Sequence, residues 1–190
     1  MRDTATTEKL HHMRQQMQAL RQEMHATLRA TPPEPVADYQ FATPDGPVQL
    51  SALFGDKDDL FVIHNMGRGC AYCTLWADGY NGLVPHLESR AAFVVSSPDD
   101  PAAQRSFADS RGWRFRMVSH AGTSFAADMG YRGEHGFLPG VSVFRRQDGA
   151  IVRVSDTELG PYDEFCALWH FLDMLPDGAG SWRPRFSYAA

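Results

Sequence analysis

Between Thr4 and Leu28 the apolar residues Leu10, Met13, Met17, Leu20 and Met24 recur at steps of three and four, with Gln, Arg and Glu between them. That spacing predicts one face of an α-helix. Pro32, Pro33 and Pro35 then end any helix. The stripe follows an approximate heptad, so the helix either lies on the core of its own domain or serves as an arm against a second copy, giving a homodimer. His11, His12 and His25 have no acidic or thiol residue at ligand spacing and read as solvated helix histidines.

The rhythm then changes. Tyr39 to Leu50 holds two short alternating runs around Pro44-Asp45-Gly46, a hairpin signal. A short turn follows over Ala52, Leu53 and Phe54, and the polar cluster Gly55 to Asp59 predicts a loop. Leu60 to His64 is a β-branched and aromatic run that reads as a buried strand, broken by Gly67 and Gly69. Thr74 to Leu87 predicts a helix, weakened by Gly79 and Gly82 and kinked by Pro85. Ala91 to Ser97 reads as a second buried strand, and Ala102 to Ser110 as a helix whose first turn suits Pro101.

Trp113 to Ser119 alternates as a strand, Thr123 to Met129 predicts a short helix, and Tyr131 to Gly140 reads as loop. Val141 to Arg146 and Ala150 to Ser155 flank Asp148-Gly149 as a second hairpin. A last helix opens at Pro161 with Phe165, Leu168, Trp169, Leu172 and Leu175 on one face, and the chain beyond Pro176 reads as irregular. Strands alternating with helices, then a hairpin and helix, predict an α/β fold: a thioredoxin-like three-layer sandwich with a mixed central sheet, an N-terminal hairpin and a long N-terminal helix. The expected division is residues 1–30 as the helical arm, 31–178 as the thioredoxin-like domain and 179–190 as an irregular tail.

Composition narrows the function. The chain has 190 residues, is 43% hydrophobic and carries a formal charge of −5, enough for one sizeable core. A mildly acidic chain argues against a nucleic-acid groove and a polybasic membrane patch. No stretch approaches ~18 consecutive apolar residues, and the first residues form no apolar signal region, so the expectation is a cytoplasmic protein without a membrane partner. Three cysteines are too few for a secreted disulfide framework. In a reducing compartment a close pair points to catalysis or metal binding.

That pair is Cys70 and Cys73, two residues apart, where a buried strand and a glycine turn hand over to a helix. The first turn of a helix leaves N–H groups unpaired and carries partial positive charge, which favours a thiolate. Cys70 is the candidate attacking thiol, helped by the Arg68 cation, and Cys73 the candidate resolving thiol. Zinc takes about four ligands. The two cysteines supply half of such a set, and His64, His120 and His135 come from separate segments with no second ligand motif, so no metal is expected. Cys166 sits near the apolar face of the last helix and reads as core. Tyr72, Trp76, Trp113 and Phe137 are candidates for an aromatic rim near the cysteines, or for the core itself.

The segments Gly69 to Gly82, Gly112 to Ser119 and Gly140 to Phe144 resemble the bacterial thioredoxin-like family catalogued as domain of unknown function 899, over about Thr31 to Pro176. That resemblance implies a thioredoxin-like fold and a dithiol–disulfide oxidoreductase activity, with no named substrate. Two positions depart from thioredoxins. Their buried carboxylate, six residues before the first cysteine, is here His64, a candidate proton acceptor for Cys73 or else a histidine satisfied by a backbone carbonyl. Their cis-proline facing the cysteines is here Val141, with Pro139 two residues early. Gly140 and Val141, with Arg68, Tyr72 and Trp76, are the candidate substrate-binding residues.

The hairpin from Phe41 to Leu50 also resembles the opening of peroxiredoxins. Those proteins need Pro-x-x-x-Thr/Ser-x-x-Cys, however, and Ile63 and Gly67 stand at the proline and hydroxyl positions relative to Cys70. No organic cofactor is implied, and electrons would come from a thiol protein or a small thiol. Two alternatives stay open: a peroxiredoxin-like thiol peroxidase, and a non-catalytic thioredoxin-fold interaction module.

Overall fold

A computed structural model describes residues 3–188. The ends of the expected arm and tail, residues 1–2 and 189–190, lie outside the described residues. Asp3 caps helix α1 (Thr4–Ala30) by accepting the Thr6 N–H at 2.9 Å. No residue of this 27-residue helix is buried, which overturns the alternative that it lies on its own core. A three-residue strand, β1 (Glu34–Val36), follows where the prolines predicted only a helix stop.

The expected hairpin forms as β2 (Gln40–Thr43) and β3 (Gly46–Gln49), and α2 (Leu50–Leu53) is a single turn. Strand β4 (Asp59–His64) leads into α3 (Ala71–Glu88), which begins directly after Cys70 and runs through Gly79, Gly82 and Pro85. Then come β5 (Ala92–Ser97), α4 (Pro101–Arg111), β6 (Arg116–Ser119) and α5 (Phe125–Asp128). Asp100 caps α4 and Gly112 closes it with φ of 66°, a left-handed value that glycine adopts freely.

The stretch predicted as loop contains a small ribbon, β7 (Arg132–Gly133) and β8 (Gly136–Phe137). The second hairpin is β9 (Gly140–Gln147) and β10 (Ala150–Glu158), with a register shift between Arg153 and Ser155. The last helix is shorter than predicted: α6 covers only Ala167–Leu172. The Asp163 carboxylate takes the N–H groups of Gly160, Phe165 and Cys166, so residues before α6 fold as a turn. Phe165 and Leu175, expected on the buried face, are exposed.

The strands join in one eight-stranded sheet in the order β1-β10-β9-β4-β5-β6-β2-β3. Strand β4 is central, parallel to β5 and antiparallel to β9. Successive side chains on a strand face opposite ways, and two cores result. Ile63, Val95 and Val141 pack under α3, α4 and α6, while Leu60, Val62, Val94 and Phe144 pack under α2, α5 and the first hairpin. Helices on both faces of a mixed sheet make the three-layer sandwich of the thioredoxin-like fold. At the start of β4, Asp59 is buried between Arg145 (2.7 Å) and Arg90 (2.9 Å), and these guanidinium groups hold its carboxyl below the usual range.

Candidate active site

Strand β4 delivers the chain to the end of the sheet where the cysteines sit. The Asn65 N–H donates to Ser96 O at 2.9 Å, and the Asn65 side-chain oxygen accepts the Gly67 N–H at 2.7 Å. Gly67 has φ of 102°, reversing the chain here, and Asp99 packs where a side chain would stand. Cys70 then donates its N–H to Gly67 O at 3.1 Å. Its own carbonyl accepts both the N–H and the hydroxyl of Thr74 at 3.0 Å, locking the first turn of α3.

Cys70 is the N-cap of α3, and its Sγ accepts the Cys73 N–H at 3.0 Å. Cys73 lies one turn inward, 2% exposed, with its Sγ accepting the Met66 N–H at 3.4 Å. Cys70 is half-buried, less covered than Cys73. The hydrogen bond from the Cys73 thiol pulls the Cys70 thiol down, to about 7, with the N–H groups of Cys73 and Tyr72 adding to the effect against partial burial. Cys73 moves the opposite way, raised by that shared hydrogen bond and by burial. One accessible thiol therefore ionises near neutral pH, and a shielded thiol beside it keeps its proton.

The other predicted residues divide. Arg68 is beside the pair but turned to solvent; its N–H donates to Asp99 Oδ2 at 2.8 Å and its Nε lies 3.9 Å from Asp99 Oδ1. Tyr72 is partly exposed, with ring centroids 6.3 Å from Trp76 and 6.2 Å from Trp169. Trp76 is only 3% exposed, which corrects its assignment as a substrate-binding residue: it is core beneath the site. Trp113 stacks on Phe115 and meets Phe107, and Phe137 packs on His120, so the four expected aromatics form no single rim.

Val141 is buried in the same cluster as Cys73 and pairs with Ile63 across the sheet. Among the described residues no peptide bond is cis. Gly140 is buried against the Tyr131 ring, so it makes room for an aromatic side chain and offers no surface to a substrate. Cys166 is buried in the core as expected, and burial raises its thiol.

His64 is the main correction. It follows Leu60 and Val62 on the face opposite Ile63 and Cys73. Its ring stacks on Tyr131 at 3.8 Å and Phe125 at 5.3 Å, and Nε2 is hydrogen-bonded to Ser142 Oγ at 2.9 Å. The sheet separates it from the sulfur whose proton it was expected to take. His120 lies on the same side as His64, with Nδ1 2.8 Å from Ser96 Oγ. Burial holds His64 well below the ordinary histidine value and His120 near about 4, so both are neutral at pH 7.

The residue that sequence reasoning missed is Asp99. Beyond Arg68, it accepts from Ser97 Oγ at 3.3 Å and braces the loop before Cys70. The sequence Ser97-Pro98-Asp99 signals a turn, but nothing in it points to a partner 31 residues earlier. Among the described residues no three His, Cys, Asp or Glu side chains gather as a metal site.

A sequence profile for a bacterial protein family of unknown function (DUF899) matches residues 3–187. The chain therefore belongs to that family. No curated protein matches it. Among solved structures it is similar to a mutant of peroxiredoxin Q from Xanthomonas campestris, with 16% identity, TM-score 0.55, and 64% of this chain and 80% of that chain covered. Peroxidoxin BcpB from Mycobacterium tuberculosis is similar at 25% identity and TM-score 0.55, over 66% and 84% of the two chains. Reduced Prx3 from Vibrio vulnificus is similar at 12% identity and TM-score 0.56, over 70% and 89%. These likenesses agree with the thioredoxin-like fold.

Proposed function

We propose that this protein is a dithiol–disulfide oxidoreductase. The Cys70 thiolate attacks a substrate disulfide, forming a mixed disulfide and releasing one substrate thiolate, which takes up a proton. Cys73, once deprotonated, attacks the Cys70 sulfur. That step forms the Cys70–Cys73 disulfide, releases the second substrate thiol and transfers two electrons to the substrate. A thiol protein or small thiol in the cytoplasm then reduces the pair. No other cofactor takes part in this scheme.

The observation that carries the reading is the asymmetry of the pair: Cys70 half-buried and pulled down to about 7, Cys73 buried and raised. Arg68 and Tyr72, the partly or fully exposed residues flanking Cys70, are where a substrate would touch. The test is turnover of a disulfide substrate with a dithiol donor. Cys70→Ser should abolish turnover with the fold intact, and Cys73→Ser should accumulate the mixed disulfide. Unchanged cellular function in Cys70→Ser would leave a non-catalytic thioredoxin-fold interaction module, and full turnover in that variant would rule out Cys70 as the attacking thiol.

The fold likeness to proteins named as peroxiredoxins favours a second reading, a thiol peroxidase. The Cys70 thiolate would take one oxygen from a peroxide, becoming a sulfenic acid and releasing water or alcohol. Cys73 would then condense with it, forming the disulfide and a second water. The hydroxyl and proline positions of the peroxidase motif are Gly67 and Ile63 here, which places this reading second. Stopped-flow oxidation by hydrogen peroxide separates the two: a second-order rate typical of an ordinary thiolate supports disulfide exchange, and one far above it supports the peroxidase.

A further inference from the structure

Helix α1 spans 27 residues, about 40 Å at 1.5 Å per residue. Along it Met13, Met17, Leu20 and Met24 are 48%, 68%, 61% and 61% exposed, and Leu10 continues the row. Single exposed apolar residues are ordinary, but four large ones in a row, continued by the half-buried Leu10, mark a contact surface. The body of the protein meets a different side of the helix. Arg21 pairs with Glu164 at 3.0 Å, and His25 and Arg29 line a crevice with Gln147, Val154 and Ser155. At ~100° per residue Arg21 lies about 60°, His25 about 100° and Arg29 about 140° around the helix from the centre of the apolar row, and Leu28, at the edge of the row, lines the same crevice.

We propose that this row packs against α1 of a second copy as an antiparallel two-stranded coiled coil. The steps from Leu10 to Met24 place Leu or Met at every a and d position over two heptads, the seam that such pairs bury. The flanking charges choose the direction. Lys9, Gln16 and Glu23 occupy g positions, and Arg14 and Arg21 occupy e positions. A parallel pair sets Lys9 against Arg14 of the second copy, twice, with no acidic residue opposite either.

An antiparallel pair sets Lys9 against Glu23 of the second copy, twice, and leaves one Arg14–Arg14 approach near the two-fold axis. Opposed helix dipoles favour the same direction. A strip ~40 Å long and ~10 Å wide falls below a standard protein interface, so association is expected to be reversible and concentration-dependent.

The test is sedimentation equilibrium of the intact chain from about 1 to about 200 µM, the span suited to a small interface. Twice the 21.2 kDa chain mass at the upper end is the expected result, and a single-chain mass throughout overturns the proposal. Met17→Glu combined with Leu20→Glu should restore the single-chain mass with unchanged far-UV circular dichroism, because both side chains are exposed in the single copy. A dimer surviving those changes places the interface elsewhere and overturns it. Lys9→Glu fixes the direction: it weakens an antiparallel pair several-fold by facing Glu23, whereas tightening means a parallel pair.

Discussion

The backbone N–H of Cys73 points at the sulfur of Cys70 from 3.0 Å, and the Cys73 thiol shares its hydrogen with the same sulfur. Both donors stabilise the thiolate over the thiol. The rate of Cys70 alkylation should therefore rise with pH about a midpoint near 7, against ~8.5 for a free cysteine. Cys73→Ala removes the larger donor, so its midpoint should move up. Iodoacetamide labelling followed by mass spectrometry across pH measures both.

Asp99 couples the end of β5 to the cysteine loop through the Arg68 N–H at 2.8 Å. Losing a hydrogen bond to a charged group costs about 1.5–3 kcal/mol. Asp99→Ala should lower stability by that order in urea unfolding. It should also expose Cys73, covered by the Met66 end of the same loop, to alkylation in the native protein. Continued protection of Cys73 would show that the loop does not depend on Asp99.

The close approach of Tyr131 to Gly140 sets a third expectation. A methyl group at Gly140 would meet the Tyr131 ring and stand 2.8 Å from Thr157 O. Tyr131 is fixed by its hydroxyl, which donates toward Val141 O at 3.1 Å and Thr157 O at 3.0 Å, so the ring has little room to yield. Gly140→Ala should destabilise the protein by about 1–3 kcal/mol, as overpacking does. The Cys70 titration midpoint of the folded fraction should be unchanged, because Gly140 pairs with His64 and faces the side of the sheet opposite Cys73.

Acid should weaken the fold through His64 and His120. Their folded-state values are depressed, chiefly by burial, with the His120 charge and Arg153 adding to the shift at His64 and Arg132 at His120. Below the ordinary value of 6.5 the unfolded chain binds protons that the folded chain refuses. Stability is full above that pH and falls as pH drops, by up to about 1.4 kcal/mol per pH unit for each histidine. His120 contributes until pH approaches about 4. Urea midpoints between pH 7 and 5 should fall, and His120→Asn should flatten the slope even if it lowers stability at pH 7.

Much of the fold was legible because its strands are apolar runs and its turns use strong signals. Asp148 (φ 51°) and Gly149 (φ 79°) close the β9–β10 hairpin with the left-handed geometry their dipeptide implies. Cys70 and Cys73 were legible for the same reason, as a strand–turn–helix junction. The face of His64 was not. Alternation places it opposite Ile63, but the sequence does not say on which side of β4 helix α3 will pack. The final helix misled because its apolar spacing from Phe165 to Leu175 is helical, whereas the Asp163 carboxylate captures three N–H groups and delays the helix to Ala167. The stripe of α1 reads the same whichever surface covers it.

The two outermost strands of the sheet are β1, three residues with Pro35, and β3, four residues with Pro47. A short rim lacking an amide hydrogen is a poor template for another chain to zip onto. The molecule is thereby guarded at both flanks against runaway fibrillar growth, even while the long first helix turns an apolar stripe outward.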